Sequence, residues 1–329
     1  MWPFSKKTTI AASGILQGAV DHHSHILPGV DDGVETMDEA LRILATYETL
    51  GIKELWLTPH IMEDIPNTPQ KLATRFEELK AAYKGNITLH LAAEYMIDNH
   101  LHKLLKAREG VEKDCYCHSD HTLTNKSKEV LGAVQSKPFQ ETPPLFRGEV
   151  VEDRRGEKKT TECLMRQEQS EVTEGNQTNN CPSYVRGASG AVAEGVAPNS
   201  LLPIGTAGKH ILVETSYFNP PMRFKETLRQ IKSLGYYPLL AHPERYMYMD
   251  NDEYRRLREE GVKFQLNLVS LAGGYGAAVK RKALWLLTNG LYSVAGSDLH
   301  SEDAIGFITK CKLSKHNIEQ VELLLQNKI

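Results

Sequence analysis

Short apolar runs of strand character recur along the chain near residues 18–21, 53–57, 87–92, 210–213, 237–240, 263–267 and 291–294, and a stretch with helical spacing follows each. The clearest helix covers residues 37–50. There Ala40, Leu41, Leu44 and Tyr47 fall on one face, and Thr36 with Glu39 forms a capping box. Another helix begins after Thr68, an N-cap, with Pro69 at the first helical position. Strands alternating with helices predict an α/β fold with a parallel sheet, and seven such units without a glycine-rich phosphate loop fit a barrel better than an open dinucleotide-binding sheet. Barrels of this kind carry their chemistry at the C-terminal ends of their strands.

One segment breaks the alternation. Residues 111–200 are rich in Glu, Lys, Thr, Ser, Gln, Asn and Gly and have neither period. Excising them joins Leu104-Leu105-Lys106-Ala107-Arg108-Glu109-Gly110, which reads as a helix end, to the short connection Leu201-Leu202-Pro203-Ile204-Gly205. The expected organisation is an N-terminal arm (1–17), a barrel (18–110 and 201–329) and an insertion (111–200) whose polar composition cannot offset its ordering entropy and favours disorder. Its place after the helix that follows the third strand puts it at the barrel face opposite the chemistry. Cys115-Tyr116-Cys117-His118-Ser119-Asp120-His121 offers zinc-ligand types, but the spacing is not that of structural zinc pairs, and Cys163 and Cys181 are distant. The sequon Asn176-Gln177-Thr178 has no consequence in a cytoplasmic chain.

Composition narrows the class. At 329 residues, 40% hydrophobic and 25% charged, the chain can bury a full core, and a net charge of −3 gives no basic footprint for nucleic acid. The stretch 8–20, interrupted by Ser13, Gly14, Gln17 and Gly18, makes a poor signal peptide, and no apolar run reaches the roughly 18 residues of a membrane span. Five cysteines, with Cys311 alone near the end, argue against a disulfide framework. These features point to a cytoplasmic enzyme.

The chemistry lies at the strand ends. Asp21-His22-His23-Ser24-His25 follows the first run and Ser297-Asp298-Leu299-His300 the last, with Asp32, His60, Glu94, Glu214 and His242 between; only the run ending Gln265-Leu266-Asn267 departs from the pattern. His23 and His25, two apart on an extended segment, point the same way, and barrel closure makes the two ends of the chain neighbours. Alone, such a histidine pair is more often surface than ligand. His22 should face away and serve structure, and Asp31 is the neighbour most easily confused with Asp32. The imidazole and carboxylate donors suit Mn, Fe, Zn or Mg in a polynuclear site at the barrel mouth.

His23-Ser24-His25-Ile26-Leu27-Pro28-Gly29-Val30-Asp31-Asp32-Gly33, Thr58-Pro59-His60, Ala93-Glu94-Tyr95, His242-Pro243-Glu244-Arg245-Tyr246 and Ser297-Asp298-Leu299-His300 together resemble the polymerase-and-histidinol-phosphatase (PHP) superfamily. Within it the chain is similar to the bacterial manganese-dependent protein-tyrosine phosphatases of capsule and exopolysaccharide loci. The resemblance covers everything outside the insertion. It implies a distorted (β/α)7 barrel of the PHP type, with His23, His25, Asp32, His60, Glu94, Glu214, His242, Asp298 and His300 holding three divalent ions, manganese first, with iron or zinc as alternatives. Glu94 is the candidate bridging carboxylate. Arg245, His60 and His300 are the candidate catalytic residues, and the implied partner is the phosphotyrosine tail of a membrane tyrosine autokinase. Arg245 can hold phosphate oxygens bidentately, with a plain ion pair to Glu244 or another carboxylate as the alternative. The expected reaction is in-line attack on phosphorus by a metal-bound hydroxide, in the absence of a Cys-x5-Arg thiolate loop. Tyr95, Tyr217, Phe218, Tyr246 and Tyr248 are candidates for the pocket or for packing, and Asn219-Pro220-Pro221 for a wall of its mouth. A small-molecule phosphatase acting on histidinol phosphate, a nuclease module and an inactive binding scaffold are the alternatives; the intact donor set weighs against the last.

Overall fold

The computed structural model describes residues 7–119 and 200–329. Most of the expected insertion, including Cys163, Cys181 and the sequon, therefore lies outside the described residues. At its near boundary the chain departs from expectation: the helix Asn99–Ser119 continues past Gly110. Glu112 and Lys113, both good helix formers, carry it on.

All seven expected runs contain strands. In chain order the strands are β1 (Thr8–Thr9), β2 (Val20–Asp21), β3 (Glu54–Leu57), β4 (His60–Ile61), β5 (Thr88–Leu91), β6 (Glu94–Met96), β7 (His210–Glu214), β8 (Tyr237–Ala241), β9 (Lys263–Asn267), β10 (Val294–Gly296) and β11 (Lys312–Leu313). After two of the expected strands the chain breaks and re-enters the sheet as a short additional strand. Thr58-Pro59 separates β3 from β4, where proline supplies no ladder donor, and Ala92-Ala93 separates β5 from β6. The parallel ladder splits accordingly into a three-stranded sheet, β2-β3-β5, and a six-stranded one, β10-β9-β8-β7-β6-β4. Together they make the curved parallel sheet of a half-barrel.

The first and last strands also meet. His22 N–H donates to the Ala295 carbonyl (3.3 Å), Asp298 N–H to the His23 carbonyl (2.8 Å) and His25 N–H to the Leu299 carbonyl (3.0 Å). Gly296 permits this approach, because a Cβ there would lie 2.6 Å from both the Cβ and the backbone nitrogen of His23.

Apolar packing explains both faces of the sheet. A small inner cluster takes Val20 from β2, Trp56 from β3, Leu212 from β7, Leu239 and Ala241 from β8 and Val294 from β10. A larger cluster lies between the sheet and the helices. In the helix Met37–Leu50 the Thr36 hydroxyl accepts the Glu39 N–H (3.2 Å), the N-cap half of the expected box, and Ala40, Ile43, Leu44 and Tyr47 are buried. Leu41 is only partly buried, so the apolar stripe includes Ile43 in its place. Thr68 caps the helix Pro69–Ala82 in the same manner. Residues 8–16 are more than an arm: β1 pairs antiparallel with β11, and Ile10, Ile15 and Leu16 are buried. Among the described residues no helix is long and apolar enough to cross a membrane.

Candidate metal centre

β2 runs out into an extended segment, so His23 and His25 project to one side and His22 to the other. The Nε2 atoms of His23 and His25 are 3.1 Å apart. His22 instead donates from Nδ1 to the Ala295 carbonyl (3.1 Å), the structural role expected for it, and burial pushes its pKa down to about 4.

Glu94, the first residue of β6, is fully buried at the centre of the cluster. One carboxylate oxygen lies 3.2 Å from His23 Nε2, 3.3 Å from His25 Nε2 and 3.3 Å from His60 Nδ1; the other lies 3.2 Å from His242 Nε2. Asp298 Oδ1 is 3.4 Å from each of His23 Nε2 and His25 Nε2. Glu214, ending β7, lies 3.3 Å from His60 and 3.7 Å from His242. Asp32 stands at the exposed rim, 3.4 Å from His60 and 3.7 Å from His300. All nine expected donors thus converge. Three groupings could each hold an ion: His25, Asp32, His60 and His300; His23, His25, Glu94 and Asp298; and His60, Glu94 and Glu214. His242, beside both carboxylates of the last grouping, completes the set.

A supporting layer holds these side chains, and much of it comes from β9, the strand that lacked a donor in the sequence pattern. Gln265 Oε1 accepts from His23 Nδ1 (3.0 Å) and from the His242 N–H (3.1 Å). Asn267 Nδ2 donates to Asp298 Oδ2 (2.6 Å). Asp31 points away from the donor groupings and accepts from His25 Nδ1 (2.9 Å) and the His60 N–H (3.0 Å). Buried Asp21 accepts N–H groups of His23 and Ser297 and the Tyr47 hydroxyl. Asn, Gln and Tyr in these roles have no spacing signature, so only the anomalous Gln265-Leu266-Asn267 strand end hinted at them. His242 (φ 33°) and Asp298 (φ 52°) adopt left-handed backbone, strain of about 1–3 kcal/mol each that surrounding structure must offset.

Charge is distributed unevenly in the cluster. Burial would raise both Glu94 and Asp298, but His23 and the neighbouring imidazoles outweigh it and hold both carboxyls low. Glu214 is driven well above the usual range by burial and by the charges of Glu94 and Asp298. Burial would likewise raise Asp31, yet its bond to His25 holds it down to about 2. Both Glu94 oxygens and His60 Nδ1 are buried without a hydrogen bond of acceptable geometry. Acceptors aimed at imidazole nitrogens that do not bond them, in a purely nitrogen and oxygen donor set, fit divalent cations.

Beside the cluster opens a cleft of about 460 Å³. His60, His300 and Arg245 line it, together with Tyr217, Tyr275, Met62 and Met96. The ion-pair partner of Arg245 is Asp298 (Nη1 to Oδ2, 3.4 Å) and not Glu244, which is buried and bound by the Tyr292 hydroxyl and the Asn267 N–H. Of the aromatic candidates, Tyr217 reaches the cleft. Tyr246 is buried behind His242, its hydroxyl 3.3 Å from Nδ1, and Tyr95 lies in the core, accepting the Leu202 N–H. Phe218 is 84% exposed.

A family model described as capsular polysaccharide synthesis, CpsB/CapC, matches residues 19–137 and 189–313. The tyrosine-protein phosphatase YwqE of Bacillus subtilis (strain 168) is 30% identical over 156 residues, a match that spans 42% of this chain and 59% of YwqE. CapC of Staphylococcus aureus is 20% identical over 318 residues, covering 94% of this chain and 89% of CapC. Among solved structures, one reported with YwqE and Streptococcus pneumoniae CpsB as metal-dependent tyrosine phosphatases shares this fold with a TM-score of 0.56 at 19% identity, over 94% of this chain and 95% of that one.

Proposed function

Since the chain belongs to the CpsB/CapC capsular polysaccharide synthesis family, we propose that it is a metal-dependent protein-tyrosine phosphatase acting on the phosphotyrosine tail of a membrane tyrosine autokinase that controls capsule or exopolysaccharide synthesis. The observation that carries this reading is the convergence of nine nitrogen and oxygen donors beside a cleft walled by one arginine. The names of YwqE and of the solved relatives support the tyrosine specificity.

In this reading the protein is a distorted (β/α)7 barrel of the PHP type that works in the cytoplasm. The three donor groupings would hold three ions; His25, His60 and Glu94 each belong to two of them, and of these only Glu94, with two carboxylate oxygens, would have a separate oxygen to offer each neighbour. Manganese is the first choice for such donors, with iron or zinc next. Bound divalent ions supply the charge that lowers the pKa of a water and neutralises phosphoryl oxygens. The chain does the rest. Arg245 binds the non-bridging phosphate oxygens through its guanidinium edge, giving the in-line geometry its orientation. His60 and His300 border the cleft where the phosphorus and the leaving phenolate would sit, and as donors of the grouping nearest it they would hold an ion against the reacting group. Asp31 and Gln265 keep His25 and His23 turned inward. The interruption of the family match between residues 137 and 189 supports an insertion into this barrel.

The test is phosphate release by metal-loaded protein from a tyrosine-phosphorylated kinase-tail peptide and from histidinol phosphate, with and without chelator. Preference for the peptide, abolished by chelator and by His23→Ala, is the expected result. Preference for histidinol phosphate would move the chain to the small-molecule branch, and silence on both would leave a binding scaffold.

A further inference from the structure

We propose that Tyr217 and Tyr275 are positioning residues that clamp the Arg245 guanidinium between two aromatic faces and so present its free edge to the phosphoryl group; the identity of that group rests on the phosphatase reading above. The Arg245 guanidinium carbon lies 4.0 Å from the Tyr217 ring centroid and 4.1 Å from that of Tyr275. A planar cation stacked on aromatic rings offers its hydrogen bonds at its edges. One edge nitrogen turns to Asp298, but at 3.4 Å that contact is longer than a strong charge-assisted bond and cannot by itself fix so flexible a side chain. The two rings supply the missing restraint, and both line the cleft.

Each ring is delivered by a dedicated piece of backbone. Tyr217 follows β7, and its hydroxyl donates to Glu214 Oε2 (3.4 Å). Tyr275 stands on the arch Gly273-Gly274-Tyr275-Gly276, in which Gly273 (φ 100°) and Gly276 (φ 93°) hold left-handed backbone. At Gly274 a Cβ would come within 2.5 Å of a Val269 methyl. The short helix that launches this arch, Leu268–Ala272, is capped by Asn267, whose side-chain oxygen accepts the Val269 and Ser270 N–H groups. The amide of the same Asn267 donates to Asp298 Oδ2, the oxygen that faces Arg245. One residue therefore sets both the carboxylate and the ring that constrain the arginine. Tyr217 and Tyr275 are 37% and 38% exposed, too open for core packing to explain their places.

Calorimetric titration of the manganese-loaded full chain with inorganic phosphate reads the clamp without needing turnover. Tyr217→Leu and Tyr275→Leu are each expected to weaken phosphate binding about tenfold, whereas the phenylalanine variants, which keep the ring face, should stay within about twofold of the parent. In an Arg245→Ala background Tyr275→Leu should add nothing, because a residue that acts through Arg245 has lost its object. Metal content and thermal melting establish that each variant keeps its ions and fold. Should Tyr217→Leu lose metal through its contact with Glu214, the Tyr275 series, on a loop that carries no donor, decides the matter. Leucine variants at position 275 that hold full metal and bind phosphate like the parent overturn the inference. So do phenylalanine variants that lose as much as leucine ones, or a further loss in the Arg245→Ala background. Inactivity towards phosphotyrosine is a separate result, since phosphate binding would still depend on the rings.

Discussion

A buried carboxylate surrounded by four imidazoles is the most exposed point of the proposal to single-residue tests. Glu94→Gln keeps the volume and removes the charge shared by two donor groupings. Metal content measured by elemental analysis should fall, and phosphate release should drop by at least about a hundredfold, since a lost first ligand costs no less than the 10–100-fold typical of an outer partner. Asp31→Asn tests that outer layer. It keeps a side chain next to His25 Nδ1 but weakens the charge-assisted bond, so metal affinity by competition with a chelator should fall about tenfold while the far-ultraviolet dichroism stays unchanged. At this scale the sequence was most legible. The nine donors are residue types whose chemistry restricts where they can stand, and they recur at strand ends. Gln265, Asn267 and Tyr275 were not legible as parts of the site, because an amide or a phenol has many uses and only the fold brings these three to Asp298, His23 and Arg245. The run Gly273-Gly274-Tyr275-Gly276 was the one local sign that a ring was being held out on purpose-shaped backbone.

At the scale of elements, strand positions and helix caps followed from periodicity, whereas the breaks in β3/β4 and β5/β6 did not. A pattern of apolar residues reports which face is buried and carries little about where the ladder is interrupted, although Pro59 marked one of the two sites. These breaks matter, because His60 and Glu94 each open the short strand after the interruption and pair there with each other in register. Closure between the first and last strands depends on Gly296. Gly296→Ala would set a methyl group against the His23 Cβ and backbone nitrogen. Urea denaturation should show a loss of about 1–3 kcal/mol, the usual cost of overpacking a rigid contact. The same variant should bind metal more weakly, since the displaced segment carries His23, and this pairing of effects distinguishes it from a simple core defect.

For the molecule as a whole, the donors occupy one end of the parallel strands, which leaves the other end free to respond to pH independently. His210 begins β7 at that far end, buried, with its Nδ1 lacking a partner and the Tyr237 ring centroid 5.4 Å away. Burial, with the nearby charge of Lys263, pushes its pKa down to about 4 from an ordinary 6.5. The unfolded chain therefore takes up this proton first as pH falls. Stability from His210 is fully present above pH 6.5 and is lost as pH drops from there through about 4. Urea midpoints at pH 7.5 and pH 5 should differ more for the parent than for His210→Leu, and taking the difference between the two proteins cancels the titration of the metal ligands. Equal pH dependence in both would show that His210 is not protonation-linked to folding. The donors also bear on residues 120–199. Every one of them lies between His23 and Glu94 or between Glu214 and His300, and the family match itself lapses from 138 to 188. Replacing 120–199 with a short flexible linker should therefore leave metal stoichiometry unchanged and phosphate release within about threefold of the parent, because shortening a connection alters closure entropy only slowly. Loss of the ions in that variant would mean that the segment contributes to building the site, and the reading of it as an insertion at the inert face would have to be given up.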